Sequence, residues 1–235
     1  MFFNKIIKWF FDFIEDRHCL ICNAELPSDC YGLCNLCASE YIYSSYVTKY
    51  EGNILERRLY GLASVSAAAA LMPYNDDNVM STLIHELKYK NNCGVGEFIG
   101  VKIAENIATS ERFPKMDYIV PVPLHPKKLA LRGYNQSEII AKSIAKQLDV
   151  PLNTTNLYRT RNNKSQTKKS RIERAKNVEN LFALRDEQLF AGKNILLIDD
   201  VFTTGSTVIS SANALYQSQD VKIYLYTAAV AMEEF

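Results

Sequence analysis

The sequence has almost no net charge, +1 over 235 residues, and no internal repeat, low-complexity tract or apolar run long enough to span a membrane. Balanced charge excludes a uniformly basic or acidic polyelectrolyte, so any affinity for polyanions has to come from a local cluster. The apolar start, Met1 to Ile14, is broken by Lys5, Lys8 and Asp12, well short of the ~20 apolar residues that a bilayer span needs. Nor does it resemble a cleavable secretory peptide with a small-residue cleavage site. No Gly-x-x-x-x-Gly-Lys-Ser/Thr loop precedes Leu196-Leu-Ile-Asp-Asp200, which removes a nucleoside-triphosphatase reading of that strand. Gly94-Val-Gly96-Glu-Phe-Ile-Gly100 has its third glycine one residue late and no strand before it, so it is no dinucleotide fingerprint and is expected to be a turn.

Ile195-Leu-Leu-Ile-Asp199-Asp200-Val-Phe-Thr203-Thr204-Gly205-Ser206-Thr207 specifies a buried strand, a loop and a helix start. Four apolar residues form the strand, and two carboxylates emerge where it leaves the sheet, the edge at which open α/β sheets bind ligands. The loop supplies hydroxyls, a glycine that allows close backbone approach, and free N–H groups at a helix beginning near Ser206, an arrangement that attracts phosphate. Carboxylates beside a phosphate loop would repel the phosphate, so Asp199 and Asp200 are expected on vicinal ribose hydroxyls with a metal ion nearby.

Six cysteines stand at positions 19, 22, 30, 34, 37 and 93. Cys19-x-x-Cys22 and Cys34-x-x-Cys37 are two knuckles separated by eleven residues, a spacing suited to closed tetrahedral thiolate coordination of structural zinc. Disulfides would need an oxidising compartment. His18 and Cys30 are spare candidates beside the four. Asn4, Lys8, Asp12 and Glu15 recur at helical spacing, predicting an amphipathic N-terminal helix that docks on the protein or a partner, or lies on a membrane surface.

A hydrophobic content of 48% over this length suits one α/β domain plus a small module. The boundary is placed near residue 50: residues 1–50 hold the amphipathic helix and the zinc module, and residues 51–235 form the main domain, entered through a polar connection from Val47 to Tyr60. Strands are expected at Ala63–Met72, Asp117–Val122, 194–199 and Val221–Thr227, and helices at Asp76–Tyr89, Phe98–Ala108, Asn135–Leu148 and 206–217. This alternation predicts an α/β fold with a parallel, doubly wound sheet. Arg159, Arg161, Lys164, Lys168, Lys169, Arg171, Arg174 and Lys176 form one dense basic stretch, either a solvated helix face or a polyanion contact.

The 195–207 run resembles the binding motif of type I phosphoribosyltransferases. The knuckles, Leu87-Lys88-Tyr89, Pro121-Val-Pro-Leu, Leu131-Arg132-Gly133-Tyr134-Asn135-Gln136, the Gln166 to Asn177 stretch and the 199–207 loop together resemble the ComF family over nearly the whole chain. That resemblance implies a type I phosphoribosyltransferase-like parallel sheet with helices on both faces and an N-terminal zinc module. It further implies a cytoplasmic competence factor acting with recombination and DNA-uptake proteins on incoming single-stranded DNA. Asp199 and Asp200 would hold the ribose of phosphoribosyl pyrophosphate (PRPP), and Thr203, Thr204, Gly205, Ser206 and Thr207 its 5-phosphate. Lys88 and Tyr89 would stand in the place of the pyrophosphate loop, although Lys88 also suits a helix C-terminus. Arg132 fits a phosphate fork or a cap on the Gly133 turn, and Asn135 the start of a helix. Lys164, Lys168, Lys169, Arg171 and Arg174 are the candidate nucleic-acid contacts. The alternative function is a magnesium-dependent transferase that joins PRPP to an unknown base or amine through an oxocarbenium-like displacement.

Overall fold

The computed structural model describes residues 18–27, 30–42, 50–75, 78–160 and 181–232. Their elements run α1 (Asn35–Tyr41), α2 (Ile54–Leu59), β1 (Ala67–Tyr74), α3 (Val79–Tyr89), α4 (Cys93–Ala108), β2 (Tyr118–Pro121), α5 (Pro126–Arg132), α6 (Gln136–Leu148), β3 (Leu157–Arg159), β4 (Phe182–Leu184), β5 (Asn194–Phe202), α7 (Ser206–Leu215) and β6 (Lys222–Ala231). Four strands form one parallel sheet in the order β1-β6-β5-β2, while β3 and β4 pair separately as an antiparallel ribbon. The expected N-terminal helix lies outside the described residues, as does the basic stretch from Arg161 onward. Among the described residues, no helix is long and apolar enough to cross a membrane.

Period-two side-chain alternation explains why the central strands read as unbroken apolar runs: both sheet faces are covered. Leu196, Ile198, Tyr224 and Tyr226 pack on the face that carries α3, α4 and α6. Ile195, Leu197, Ile223 and Leu225 pack on the other, against α2, α7 and the β3–β4 ribbon. Pro121 fits because β2 pairs only with β5 in this sheet, so its missing N–H breaks no interior ladder.

Two local expectations are corrected. The stretch to Tyr60 is not merely a polar connection: Asn53 caps α2 by accepting from the Leu55 and Glu56 N–H groups, and Leu55 and Leu59, one helical turn apart, are fully buried. Gly94, Gly96 and Gly100 do not form a turn. They lie inside α4, whose N-cap is Asn92. A Cβ on Gly96 would stand 2.7 Å from Ile139 Cγ2, and one on Gly100 2.5 Å from Ser143 Cβ and 2.7 Å from the Ile140 carbonyl oxygen. The glycines therefore let α4 and α6 approach at backbone distance, and Ser143 Oγ donates to the Glu97 carbonyl across that contact at 2.8 Å. Helix propensity is surrendered for packing.

Because α6 carries residues that reach the end of β5, this contact also fixes the site. Gly100→Ala is expected to lower stability by about 1–3 kcal/mol through overpacking, read as a reduced urea midpoint with unchanged slope. An unaltered midpoint would show that the helix pair has slack.

Candidate functional site

Ile198 is the last fully apolar position of β5 before the carboxylates. The Val122 N–H donates to its carbonyl at 2.9 Å, so the chain leaving β2 runs beside the chain leaving β5 at the same sheet edge. Asp199 is buried, and its Oδ1 accepts from Ser137 Oγ at 3.0 Å and from the Asp200 N–H at 2.9 Å. Asp200 is half-buried, with Oδ1 accepting from the Val201 N–H at 2.7 Å and Oδ2 standing 2.8 Å from Lys88 Nζ.

Beyond Phe202 the chain turns through Thr203 and Thr204 into α7, with Gly205 as N-cap at φ +76°. That backbone is left-handed, and a Cβ would lie 2.5 Å from Phe202 Cζ, so glycine is required twice over. A glycine cap also offers no side-chain acceptor to the first-turn N–H groups of the helix, which are then directed at whatever approaches. Thr203, Thr204 and Ser206 are exposed around them, with the Thr204 and Ser206 hydroxyls 3.3 Å apart.

The opposite face of the sheet contributes the rest. Lys88 and Tyr89 sit in the last turn of α3 rather than in a loop. The Tyr134 hydroxyl donates to the Leu87 carbonyl, and the Arg132 guanidinium lies 5.5 Å from the Tyr89 ring centroid. Arg132 Nη1 also donates to Gln136 Oε1 at 2.9 Å, while Gly133, not Arg132, provides the left-handed C-cap of α5. Asn135 occupies the N-cap position of α6 without capping it. Its Nδ2 donates instead to the Val122 carbonyl at 3.0 Å, stitching the β2 exit to the helix start. The structure thus brings together Asp199, Asp200, Lys88, Tyr89, Arg132 and the 203–207 loop. Lys164, Lys168, Lys169, Arg171 and Arg174 lie outside the described residues.

The four cysteines form a second centre. The Sγ atoms of Cys19, Cys22, Cys34 and Cys37 all lie within 4.8 Å of one another, and those of Cys22 and Cys34 are 3.7 Å apart. Four thiolates at about 2.3 Å from a shared zinc would stand about 3.8 Å apart, so the donor set and its spacing fit a closed structural site. Burial opposes ionisation of Cys19, but the backbone N–H groups of Cys22, Cys34 and Ile21 bring its thiol down to about 6, whereas burial and the neighbouring thiols push Cys37 up to about 12, so a metal would have to displace protons to gain its thiolates. Neither His18 nor Cys30 joins the group. Cys19, Leu33, Cys37, Ala38 and Ile42 belong to the same apolar core as α3, α4 and α6, so the module is docked on the body.

A profile of the phosphoribosyl transferase domain matches residues 135–231. Competence protein F of Haemophilus influenzae is 26% identical over 194 residues, covering 81% of this chain and 80% of the relative. DNA utilization protein YhgH of Salmonella typhi is 30% identical over 142 residues, covering 59% of this chain and 62% of the relative, less than two thirds of its length. Competence protein ComFC of Bacillus subtilis is 25% identical, covering 92% of this chain and 85% of the relative. Over most of its length the chain is similar to competence proteins F and ComFC. Its main body has the type I phosphoribosyltransferase fold. Among solved structures, glutamine PRPP amidotransferase from B. subtilis is similar at 17% identity and a TM-score of 0.43, covering 61% of this chain and 30% of that one.

Ser137 is the site residue that sequence reasoning missed. It follows the Arg132-to-Gln136 run directly, but nothing in its spacing indicates that α6 will carry its hydroxyl to a carboxylate sixty-two positions later. Burial, and then the charge of Asp200, push the Asp199 carboxyl up to about 7, against partial relief from the Asp200 N–H, Ser137 and Lys88.

A carboxyl whose folded-state value is raised binds its proton more tightly when folded, so its contribution to stability falls as pH rises from about 4 to about 7. Asp199→Asn keeps an acceptor for Ser137 and is expected to gain thermal stability over the parent at about pH 8.5 and little at about pH 4; equal differences at the two pH values would refute the assignment. For the cysteine cluster, elemental analysis is expected to find roughly one zinc per chain. Cys22→Ser should lose it together with thermal stability; full stability without metal would overturn the site.

Proposed function

We propose that this chain is a ComF-family, competence-related DNA-processing factor built on a ribose-phosphate site, acting in the cytoplasm on incoming single-stranded DNA. The observation that carries the site reading is the convergence, at the end of β5, of a hydrogen-bonded carboxylate pair with a glycine-capped helix N-terminus. In this reading Asp199 and Asp200 take the vicinal hydroxyls of PRPP or a related pentose phosphate, and Thr203–Thr207 takes its 5-phosphate. Arg132 and Tyr89 border the other end of the ligand from the opposite face. The competence role is supported by relatives named competence protein F, ComFC and DNA utilization protein YhgH. The basic residues Lys164, Lys168, Lys169, Arg171 and Arg174 and the zinc-bearing cysteine module are the proposed contacts for DNA and for partner recombination proteins.

A transferase that turns over PRPP is the second reading, favoured by the intact carboxylate pair and phosphate cradle. Carboxylates are the right donors for the magnesium such chemistry employs. Asp200 already holds the Lys88 ammonium, however, so Asp200 does not present an open metal seat.

Anisotropy of a labelled single-stranded oligonucleotide, titrated with zinc-loaded protein at several salt concentrations, tests the leading reading. Affinity is expected to fall steeply with salt, and displacement by PRPP would put the DNA backbone in the Asp199–Thr207 site. Absence of binding at low salt would overturn the DNA-processing role. Pyrophosphate release abolished by Asp199→Asn with Asp200→Asn would then favour the transferase.

A further inference from the structure

A phosphate cradle beside two carboxylates poses an electrostatic problem, because an anionic ligand that reaches Thr203–Thr207 must also approach Asp199 and Asp200. A hard divalent cation shared by carboxylate and phosphate oxygens is one chemical remedy. Here another cation already stands at the pair. Lys88 Nζ is 2.8 Å from Asp200 Oδ2, with the two side chains only 18% and 17% exposed, so solvent screens the contact less than it would a surface ion pair.

The ammonium is also held in place. Leu87 is fully buried, the Tyr134 hydroxyl grips its carbonyl, and Arg132 covers the neighbouring Tyr89 ring, so the last turn of α3 is fixed on both sides of Lys88. Two of the other three oxygens at the pair are engaged as well: Asp199 Oδ1 by Ser137 and the Asp200 N–H, and Asp200 Oδ1 by the Val201 N–H. A divalent ion seated on Asp200 would have to displace Lys88. The phosphate loop belongs to α7 on one face of the sheet, whereas α3 lies on the other. Lys88 therefore reaches the pair from the side away from the phosphate and leaves the cradle clear.

We infer that Lys88 is the resident counter-ion of the Asp199–Asp200 pair, taking the electrostatic place of a divalent cation, so that a phosphorylated pentose binds this site without metal. The inference rests on the ribose-phosphate reading of the site. Its charge balance is consistent with the rest of the pocket: burial keeps Asp199 from ionising freely near neutral pH, so one ammonium suffices where two full carboxylate charges would need a dication.

The test is calorimetric titration of ribose 5-phosphate into the full chain, with magnesium or in magnesium-free buffer without chelator, so that the cysteine cluster keeps its metal. Parent affinity is expected to change by less than roughly threefold when magnesium is withdrawn, and Lys88→Arg to behave alike. Lys88→Met should bind roughly tenfold more weakly in magnesium-free buffer and recover on adding magnesium. A parent that loses binding without magnesium, or a Lys88→Met variant weakened equally in both buffers, overturns the counter-ion role. Manganese uptake followed by electron paramagnetic resonance reads the same role without a sugar ligand. The parent should take no ion at the pair, Lys88→Met should gain one site, and Asp200→Asn should remove the gained site. If the parent binds no ribose 5-phosphate in either buffer, the ribose-phosphate reading fails; if Lys88→Met also gains no manganese site, the counter-ion role fails independently.

Discussion

Two adjacent carboxylates at the end of a buried strand are the constraint around which this molecule is arranged. At the sheet edge both take partners from the face that carries α3 and α6, yet Asp199 and Asp200 do not share one environment. Asp199 goes into the interior and depends on the Ser137 hydroxyl and a backbone N–H; Asp200 stays near the surface and depends on Lys88. A buried charge without partners is strongly unfavourable, and each side-chain partner comes from a helix that the rest of the fold must deliver to within hydrogen-bond distance.

That delivery explains features otherwise far from the site. Ser137 is placed by α6, whose position follows from the glycine-lined contact with α4. Lys88 is placed by the end of α3, which Tyr134 ties to the start of α6. The cysteine module completes the same layer: its Tyr31 ring lies where a Cβ on Gly94 would project, and its apolar residues join the core beneath α3 and α4. The cysteine cluster and the carboxylate pair are therefore linked through one packed helical layer.

The division between the sheet faces has a chemical counterpart. One face brings backbone N–H groups to the edge through α7, and the other brings a cation, an aromatic ring and a guanidinium through α3 and the β2–α6 crossover. A ligand lying across the edge would meet backbone N–H donors on one side and the Lys88, Tyr89 and Arg132 side chains on the other. The lysine–carboxylate pair sits between them, and its energy is governed by limited exposure more than by charge alone.

Much was legible in the sequence because it depends on local pattern: the apolar β5 run followed by Asp-Asp, the glycine and hydroxyls that open α7, and the two CxxC knuckles whose thiols converge. Each joins residues within one strand, one turn or one knuckle, where spacing dictates geometry. The α2 helix was missed where two buried leucines stood among polar residues, and Gly94, Gly96 and Gly100 were read as a turn because glycine's backbone freedom hid its use as a packing surface. Partner choice over long separations belonged to tertiary structure alone. Lys88 finding Asp200, Ser137 finding Asp199 and Asn135 turning from its own helix to the Val122 carbonyl all follow from how the helices settle on the sheet. A linear sequence specifies which groups are available; only the packed fold brings them close enough for electrostatics and hydrogen bonding to decide their roles.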